Sequence, residues 1–527
     1  MAVACSDDFL DTEPFSFTTV ENFYKTADDA EAALVGCYSA LNAQSVQGVW
    51  RGNFNSSMTF MLSAGTDELV TRDGLTSSGY APFGTLAVTS QTPTIEENYF
   101  TLFVGINRTN YLLDAIGDTE MDEDRKQEII GEAHFLRGLY YMYLAQLYGG
   151  VPVFTNWDHD EEAKRQPLNE VYELVISDFE TAFQNLPHRA SISGRANKWS
   201  AAGFLAKVYA YLASCKVNNV GSDLNFDLNS FDWVDADDYY QKTKEITNEI
   251  IAESDYKLID DYDYLFRETT SQWGRQEFLF SSVSSDNSVI GNYHIWHIWM
   301  LPPGNTSTMG GGYGWFRPTG EIFYKYDASD IRRGHNLSNS FSSSNRETED
   351  IEGVSYFVPI EANGTNAGFY AVGKFRYMDP STKPIDIIQS MGDYPLLRYA
   401  DILLLNAEAL FMDGDEQAAR ERLTEVRLRS VSEGIGVDVL DNAYYKEDFL
   451  TELLDERSRE FAFESQRRID LIRFGQFFNA INALDENAGR WNVVVPIMQA
   501  NLEPYKIWFP IPLTEIELSP VKQNPGY

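Results

Sequence analysis

The strongest constraint on the fold is a recurring pattern of paired amphipathic segments. The clearest pair lies at 401–429, where two apolar-periodic segments flank a turn at Gly414 and Asp415. Apolar residues recur at three- and four-residue spacing in further segments, which we predict to be helices: 28–41, 96–117, 123–148, 168–186, 198–216, 236–254 and 446–484. Alanines in 198–216 allow a neighbouring helix to approach closely. The sequence therefore predicts a mainly α protein built from tetratricopeptide-like helical pairs.

Helical periodicity is absent between about 261 and 395. This segment is rich in Gly, Ser, Pro and aromatic residues, and so long a stretch without regular structure in a compact protein is usually functional. We expect a single body over 28–527, with helical pairs mainly at 28–260 and 396–485 and an irregular, aromatic-rich ligand-binding region at about 261–395. Residues 1–27 are expected to form the lipid-attachment site and an extended lead-in, and 486–527 an irregular tail.

The chain is acidic, with 41 Lys and Arg against 79 Asp and Glu and a net charge of −38. Such a field repels polyphosphates, so we expect no nucleic-acid partner. It also disfavours a charged contact with anionic lipid. Neutral ligands, uncharged sugars among them, remain compatible with this charge.

The three cysteines are too few for a disulfide framework. Cys37 and Cys215 lie in apolar helical segments, where a free cysteine packs as a small hydrophobic residue. Cys5 follows the small residues 2–4 and precedes acidic, polar ones, as does the residue that a bacterial lipoprotein signal leaves at its new N-terminus. We therefore expect a removed signal peptide, a lipid on Cys5 and, since no apolar run reaches the ~18–20 residues of a membrane span, attachment by that lipid only.

Three glutamates, Glu456, Glu460 and Glu464, recur at four-residue spacing in 455–475. Paired carboxylates can act as general acid and base. Arginines interleave with these glutamates, however, and permanent cations hold carboxylates ionised. We therefore predict a structural ion network, with Glu464 paired to Arg468 one helical turn away.

Other catalytic and metal-binding patterns are scarce. His294 and His297 lie three residues apart but have no third ligand nearby in the sequence. The chain contains neither a nucleophile elbow nor a phosphate-binding loop. We expect no enzymatic activity, no metal and no other cofactor.

The aromatic residues of the irregular region are candidate ligand contacts. Sugars present apolar C–H faces that stack on aromatic rings, and rings on loops are more available to a ligand than rings packed between helices. The candidates in this region are Trp273, Trp296, Trp299, Tyr313 and Trp315. Some of these rings can instead pin the loop to the body, an alternative that applies most to Trp315.

Six segments, in order over nearly the whole chain, resemble the SusD/RagB family. They are CSDDFLDTEP at 5–14, GEAHFLRGLYYMYLAQLYGGVPVF at 131–154, RANKWSAAGFLAKVYAYL at 195–212, RYADILLLNAEAL at 398–410, DERSREFAFESQRRIDLIRFG at 455–475, and the end from FPIP to QNPGY. The resemblance implies a SusD-like helical scaffold with the irregular region packed on it. It also implies a lipoprotein on the outer-membrane surface of a Bacteroidetes bacterium, which captures glycan and passes it to a SusC-like TonB-dependent transporter.

A further landmark of the family is Asp67-Glu68 followed by Arg72. In the starch-binding member, an aromatic residue just downstream helps to form the sugar-stacking arc. Here no Trp follows, and Tyr80 and Phe83 are the nearest candidate ligand contacts. This departure argues against starch as the ligand.

Two other functions are compatible with the sequence. A glycoside hydrolase on a helical scaffold would need two carboxylates across a cleft. A peptide-capturing member of the same fold would hold its ligand along the concave helical face and not at the Trp-rich segment.

Overall fold

The structure, a computed structural model, describes residues 25–42, 57–158, 163–267, 274–283, 299–301, 313–338, 346–351, 354–359, 370–375 and 392–527. Within these ranges the protein is mainly helical, as predicted. No helix in the described ranges combines the length and the apolar character needed to cross a membrane.

Eight helices are described before residue 261. They are α1 (Ala27–Asn42), α2 (Met58–Ser63), α3 (Ala81–Gly84), α4 (Pro93–Ala115), α5 (Glu123–Tyr148), α6 (Leu168–Asn185), α7 (Lys198–Val217) and α8 (Ala236–Glu253). The six longest of these agree with the predicted segments to within about three residues. The short helices α2 and α3 lie in a Gly/Ser/Thr-rich stretch whose composition does not show them.

Ten further helices are described after residue 261. They are α9 (Gly320–Tyr324), α10 (Ile331–Asn336), α11 (Tyr399–Met412), α12 (Glu416–Leu428), α13 (Asp438–Tyr444), α14 (Phe449–Phe461), α15 (Arg467–Arg473), α16 (Phe477–Asn482), α17 (Val495–Ala500) and α18 (Leu513–Leu518). The last two give the C-terminal segment short helical turns between extended stretches.

The long helices pack in sequence order. α1 packs on α4. From α4 onward each long helix packs on the next one, in the order α4, α5, α6, α7, α8, α11 and α12. The predicted helical pairs are therefore present. α7 shows why they pack closely, because Ala201, Ala202 and Ala206 are fully buried in it. Its start is defined by Asn197, whose side chain accepts hydrogen bonds from the backbone N–H groups of Trp199 and Ser200.

The described strands form four two-stranded antiparallel ribbons. They are β1 (Leu69–Thr71) with β3 (Phe316–Pro318), β2 (Phe278–Ser282) with β8 (Tyr394–Arg398), β4 (Leu337–Ser338) with β7 (Ala371–Val372), and β5 (Arg346–Ile351) with β6 (Val354–Pro359). Sequence periodicity did not show these ribbons, because two of the four have strands of only two or three residues and three of the four pair segments far apart in the chain. Through β1 and β3, the region after residue 261 is joined to the N-terminal helices.

A buried ion network joins α14 to the elements around it. The carboxylate of Glu456 accepts from Arg332 of α10 and Arg427 of α12, each at 2.8 Å. Glu460 accepts from Arg332 at 3.1 Å and from Arg398 of β8 at 2.9 Å. These groups are at most 2% exposed, so the network is structural, as the interleaved arginines indicated.

The predicted partner of Glu464 is wrong. Its carboxylate accepts from Arg398 at 2.8 Å and from Lys374, whereas Arg468 donates to the carbonyl of Lys506. The helix between them is interrupted, because Phe463 and Ser465 adopt positive φ angles of 66° and 62°. A pair one turn apart requires a continuous helix, which this segment does not form.

Glu460→Gln tests the network. Burial opposes ionisation of Glu460, but the cations Arg429, Arg398 and Arg332 outweigh it and lower its pKa from 4.5 to about 2. Removing this charge leaves buried arginines undercompensated, so we expect a loss of about 3–5 kcal/mol in the free energy of unfolding. The depressed pKa means that the stabilisation is present above pH 4.5 and lost as pH falls toward 2. Denaturant unfolding across this pH range measures both effects.

The matched control is Glu416→Gln, which removes a carboxylate from an exposed i,i+4 pair with Arg420. It should change stability by less than about 1 kcal/mol. Equal losses in the two variants would contradict a structural role for the buried network.

Gly414 ends the turn between α11 and α12 and has a φ angle of +92°. No side chain or backbone atom lies near a Cβ built at this position, so the requirement for glycine is conformational and not steric crowding. The turn predicted at Gly414-Asp415 is confirmed, with Asp415 accepting from the N–H of Ala418 at the start of α12.

Gly414→Val should lower the free energy of unfolding by about 1–2 kcal/mol, because a β-branched residue is strained at this φ angle. Gly36→Ala is the matched control. Gly36 lies inside α1, equally open around its Cβ position but with an ordinary helical φ angle, so alanine there should leave stability unchanged or raise it. Thermal unfolding of both variants measures the difference. Unchanged melting of Gly414→Val would contradict the strain.

Candidate ligand-binding site

The β1–β3 ribbon brings distant parts of the chain together. Val70 pairs with Arg317 and Thr71 with Phe316. The ladder continues beyond the strands, where the N–H of Arg72 donates to the carbonyl of Trp315 at 2.7 Å. The N–H of Trp315 in turn donates to the carbonyl of Trp299 at 2.8 Å.

Four of the aromatic residues predicted to bind ligand meet on this ribbon. Trp299 and Trp315 have ring centroids 4.5 Å apart, and Tyr313 lies 5.6 and 5.7 Å from them. Tyr80, just before α3, lies 5.2 Å from Trp299 and 5.3 Å from Trp315. We call these four residues the aromatic cluster.

The members of the aromatic cluster differ in exposure. Tyr80, Tyr313 and Trp315 are half-buried, so part of each ring remains open to solvent. Trp299 is only 8% exposed and supports the other three rings from within. Burial, reinforced by the carboxylate of Glu97, raises the pKa of Tyr80 to about 12, which keeps its hydroxyl neutral well above physiological pH.

Phe83 does not belong to the aromatic cluster. It is 1% exposed and packs between Phe60 and Phe509, with centroid distances of 5.6 and 5.5 Å. Its ring is therefore part of the hydrophobic core and offers no face to a ligand. Sequence proximity to Tyr80 did not distinguish the two because α3 turns Phe83 inward.

Three predicted site residues, Trp273, Trp296 and Cys5, lie outside the described residues. Their assigned roles in ligand binding and lipid attachment remain predictions.

Two residues of this area were missed in the sequence. Trp491, in the segment expected to be an irregular tail, is half-buried and donates its indole N–H to the carbonyl of Tyr370 at 2.8 Å. The guanidinium of Arg317 lies 4.6 Å from the centroid of the Trp491 ring. The only sequence signal for Trp491 was that a tryptophan lies in a segment without helical periodicity. The same signal marked the tryptophans of 261–395 as candidate ligand contacts, but the tail was not considered.

Asp67 and Glu68 anchor the ribbon to the body. Asp67 accepts from Arg467 of α15 at 2.8 and 2.7 Å and from Lys325 at 2.7 Å. Burial by itself would raise the pKa of the Asp67 carboxyl. The cations of Arg467 and Lys325 outweigh burial and hold this pKa well below its usual range. Burial raises the pKa of Glu68 to about 7, and its carboxyl accepts from the hydroxyl of Ser458 at 2.6 Å. These acids hold the ribbon in place and are not exposed to a ligand.

A concavity lies on the helical part of the molecule, apart from the aromatic cluster. It has a volume of about 500 Å³ and is lined by apolar residues of α4, including Phe100 and Phe103, and by Phe154 and Val521. Polar residues, among them Asn107, Arg108 and Glu515, also line it. This is the described location that the peptide-capturing alternative would favour.

The fold places this chain among helical-pair scaffold proteins, and comparison with known proteins narrows the class. A model described as the SusD family matches residues 313–527, and one described as "Starch-binding associating with outer membrane" matches residues 8–210. Together they match well over half of the chain. SusD-like protein P2 of Formosa agariphila is 25% identical over 548 aligned residues, which cover 100% of this chain and 97% of the relative.

Solved structures share the fold. A SusD homolog from Bacteroides thetaiotaomicron superposes with a TM-score of 0.75 at 21% identity, over 97% of this chain and 99% of that one. A laminarin-binding SusD-like protein superposes with a TM-score of 0.70 at 22% identity, over 96% of this chain and 100% of that one. The protein belongs to the SusD/RagB family, as the six sequence segments indicated.

Proposed function

We propose that this protein is a non-catalytic, surface-exposed lipoprotein that captures oligo- or polysaccharide and delivers it to a SusC-like TonB-dependent transporter of the outer membrane. The observation that carries the proposal is the aromatic cluster, in which three half-buried rings lie within 6 Å of a common neighbour, Trp299. Such rings stack on the apolar faces of sugars while remaining fixed by their own packing. The laminarin-binding relative and the starch-binding family description support a glycan as the ligand.

The geometry favours a binding protein over the alternative of a glycoside hydrolase. Glycoside hydrolysis needs two carboxylates on either side of the scissile bond. Asp67 and Glu68, the two acidic residues that immediately precede β1, are buried and bound to protein groups. Incubation of the protein with each glycan of a panel, followed by a reducing-end assay, should therefore show binding without release of new ends.

Trp315→Ala and Tyr313→Ala test the glycan site. Each should weaken binding about tenfold to a hundredfold, because loss of one stacking ring costs about 1–3 kcal/mol. The measurement is affinity electrophoresis or calorimetry against a panel that includes laminarin and starch, with circular dichroism to confirm that each variant is folded.

Trp157→Ala is the matched control. Trp157 is 46% exposed and stacks on Tyr111 of α4 at 4.9 Å, away from the aromatic cluster. Its loss should leave glycan affinity unchanged. If binding instead depended on Trp157 and not on Trp315 or Tyr313, the ligand would lie on the helical face and the aromatic cluster would be only a clamp.

Cys5→Ala tests membrane attachment in cells that make the protein behind a lipoprotein signal peptide. We expect the variant to leave the membrane fraction, because the acyl chains supply about 0.8 kcal/mol per buried CH₂. Fractionation is done with and without the partner transporter, which could retain the protein by itself. Cys215→Ala is the control, since Cys215 is buried inside α7 and should not affect attachment. A Cys5→Ala variant that stays membrane-bound without the transporter would contradict lipid anchoring.

A further inference from the structure

Two arginines at the edge of the aromatic cluster have no carboxylate partner among the described residues. Arg317 is 2% exposed, and its Nε and Nη1 atoms are buried without a hydrogen-bond acceptor. The Nε atom of Arg72 is also buried without an acceptor. A guanidinium nitrogen that is buried without an acceptor lowers the stability of the folded protein, because it has lost its hydrogen bonds to water and gained none in return.

Most other buried arginines in the described part of the chain donate to carboxylates or carbonyls, although several of them also keep a nitrogen without an acceptor. Arg398 donates to three carboxylates, those of Glu277, Glu460 and Glu464. Arg165, which has no carboxylate, donates to three backbone carbonyls and to the side-chain oxygen of Asn524. The chain has 79 acidic residues, so the lack of an ion pair between any described carboxylate and Arg72 or Arg317 is not explained by a shortage of acids.

The strand geometry places both arginines next to the stacking rings. Arg72 lies opposite Trp315, and Arg317 lies opposite Val70, two residues before Arg72. Because side chains alternate along a strand, residues opposite or two apart project from the same side of the ribbon. Arg72 and Trp315 are both half-buried, so this end of the ribbon is open to solvent.

The surroundings are cationic. Burial, together with the neighbouring cations Arg72 and Arg490, lowers the pKa of Arg317 to about 10. Gly314, at a φ angle of +51°, lets the guanidinium of Arg317 lie where any Cβ would collide with it. The ring of Trp491 also lies against this guanidinium, with its centroid 4.6 Å from the guanidinium carbon. The protein thus holds these positive groups in fixed positions without neutralising them.

We propose that the glycan bound at the aromatic cluster is acidic, and that Arg72 binds its carboxylate or sulfate oxygens while the sugar ring stacks on Trp315 and Tyr313, with the buried cation of Arg317 adding positive potential behind Arg72. This inference rests on the proposed function and specifies the class of glycan. A guanidinium presents planar, paired N–H donors that match the oxygens of either anion. The net charge of −38, with which neutral ligands are compatible, describes the whole surface and not this end of the ribbon.

The test compares neutral and acidic glycans on the same protein. Laminarin is the neutral probe, and polygalacturonate and a sulfated galactan are the carboxylate and sulfate probes. Calorimetry should show at least tenfold tighter binding of one acidic probe than of laminarin. That affinity should fall as ionic strength rises, because the charge contacts are partly exposed. The better acidic probe identifies which anion Arg72 binds.

Two variants locate the charge contact. Arg72→Gln should weaken binding of the acidic probe tenfold or more and leave binding of laminarin unchanged. Arg317→Met should weaken binding of the acidic probe in the same direction without lowering the melting temperature, because it removes a buried cation that has no carboxylate partner among the described residues. Arg189→Gln is the control, since Arg189 is exposed and pairs with Asp255. It should change neither affinity.

The possible failures are distinguishable. Laminarin bound as tightly as both acidic probes, with Arg72→Gln without effect, would overturn the acidic-glycan inference and leave the proposed function intact. A lower melting temperature in Arg317→Met, with acidic binding retained, would make Arg317 a core residue and overturn its assigned role. Absence of binding to every glycan, neutral or acidic, would overturn both proposals.

Discussion

The ion network buried around α14 is the interaction on which the rest of the structure depends. Glu456, Glu460 and Glu464 each lie within hydrogen-bonding distance of cations from other parts of the chain. Charges buried this deeply are tolerated only when each has its partners, so the elements that supply those partners must be in place together. One helix thereby joins the paired helices α11 and α12 to the short strands and helices between residues 261 and 398.

The same part of the molecule supports the candidate binding site. Arg467 of α15 holds Asp67, and Ser458 of α14 holds Glu68, immediately before β1. β1 pairs with β3, and β3 carries the backbone that positions Trp315. The aromatic cluster therefore lies on a ribbon that buried polar contacts of Asp67 and Glu68 attach to α14 and α15. A rigid base lets half-exposed rings stay in place without a ligand, which reduces the entropy lost when a ligand binds.

Charge is distributed unevenly between the body and the site. The body satisfies most of its buried arginines with carboxylates, whereas Arg72 and Arg317 beside the aromatic cluster have none among the described residues. A group left unsatisfied in the free protein lowers its stability and gains more from a ligand that supplies the missing acceptor. Arg165 and Arg468 also lack a carboxylate, but each donates to a backbone carbonyl, which the side chains of Arg72 and Arg317 do not do in the described part of the chain.

The sequence by itself determined the helical framework, the turn at Gly414, the structural role of the α14 glutamates and the family. Helices arise from contacts three or four residues apart, so their pattern is visible in a single segment. Only the tertiary structure decided which aromatic residues meet. It buried Phe83, joined Tyr80 to Trp315, and brought Trp491 of the C-terminal segment against Arg317. These contacts depend on pairing between strands that are far apart in the chain. Short-range periodicity does not indicate which residues of such strands become neighbours.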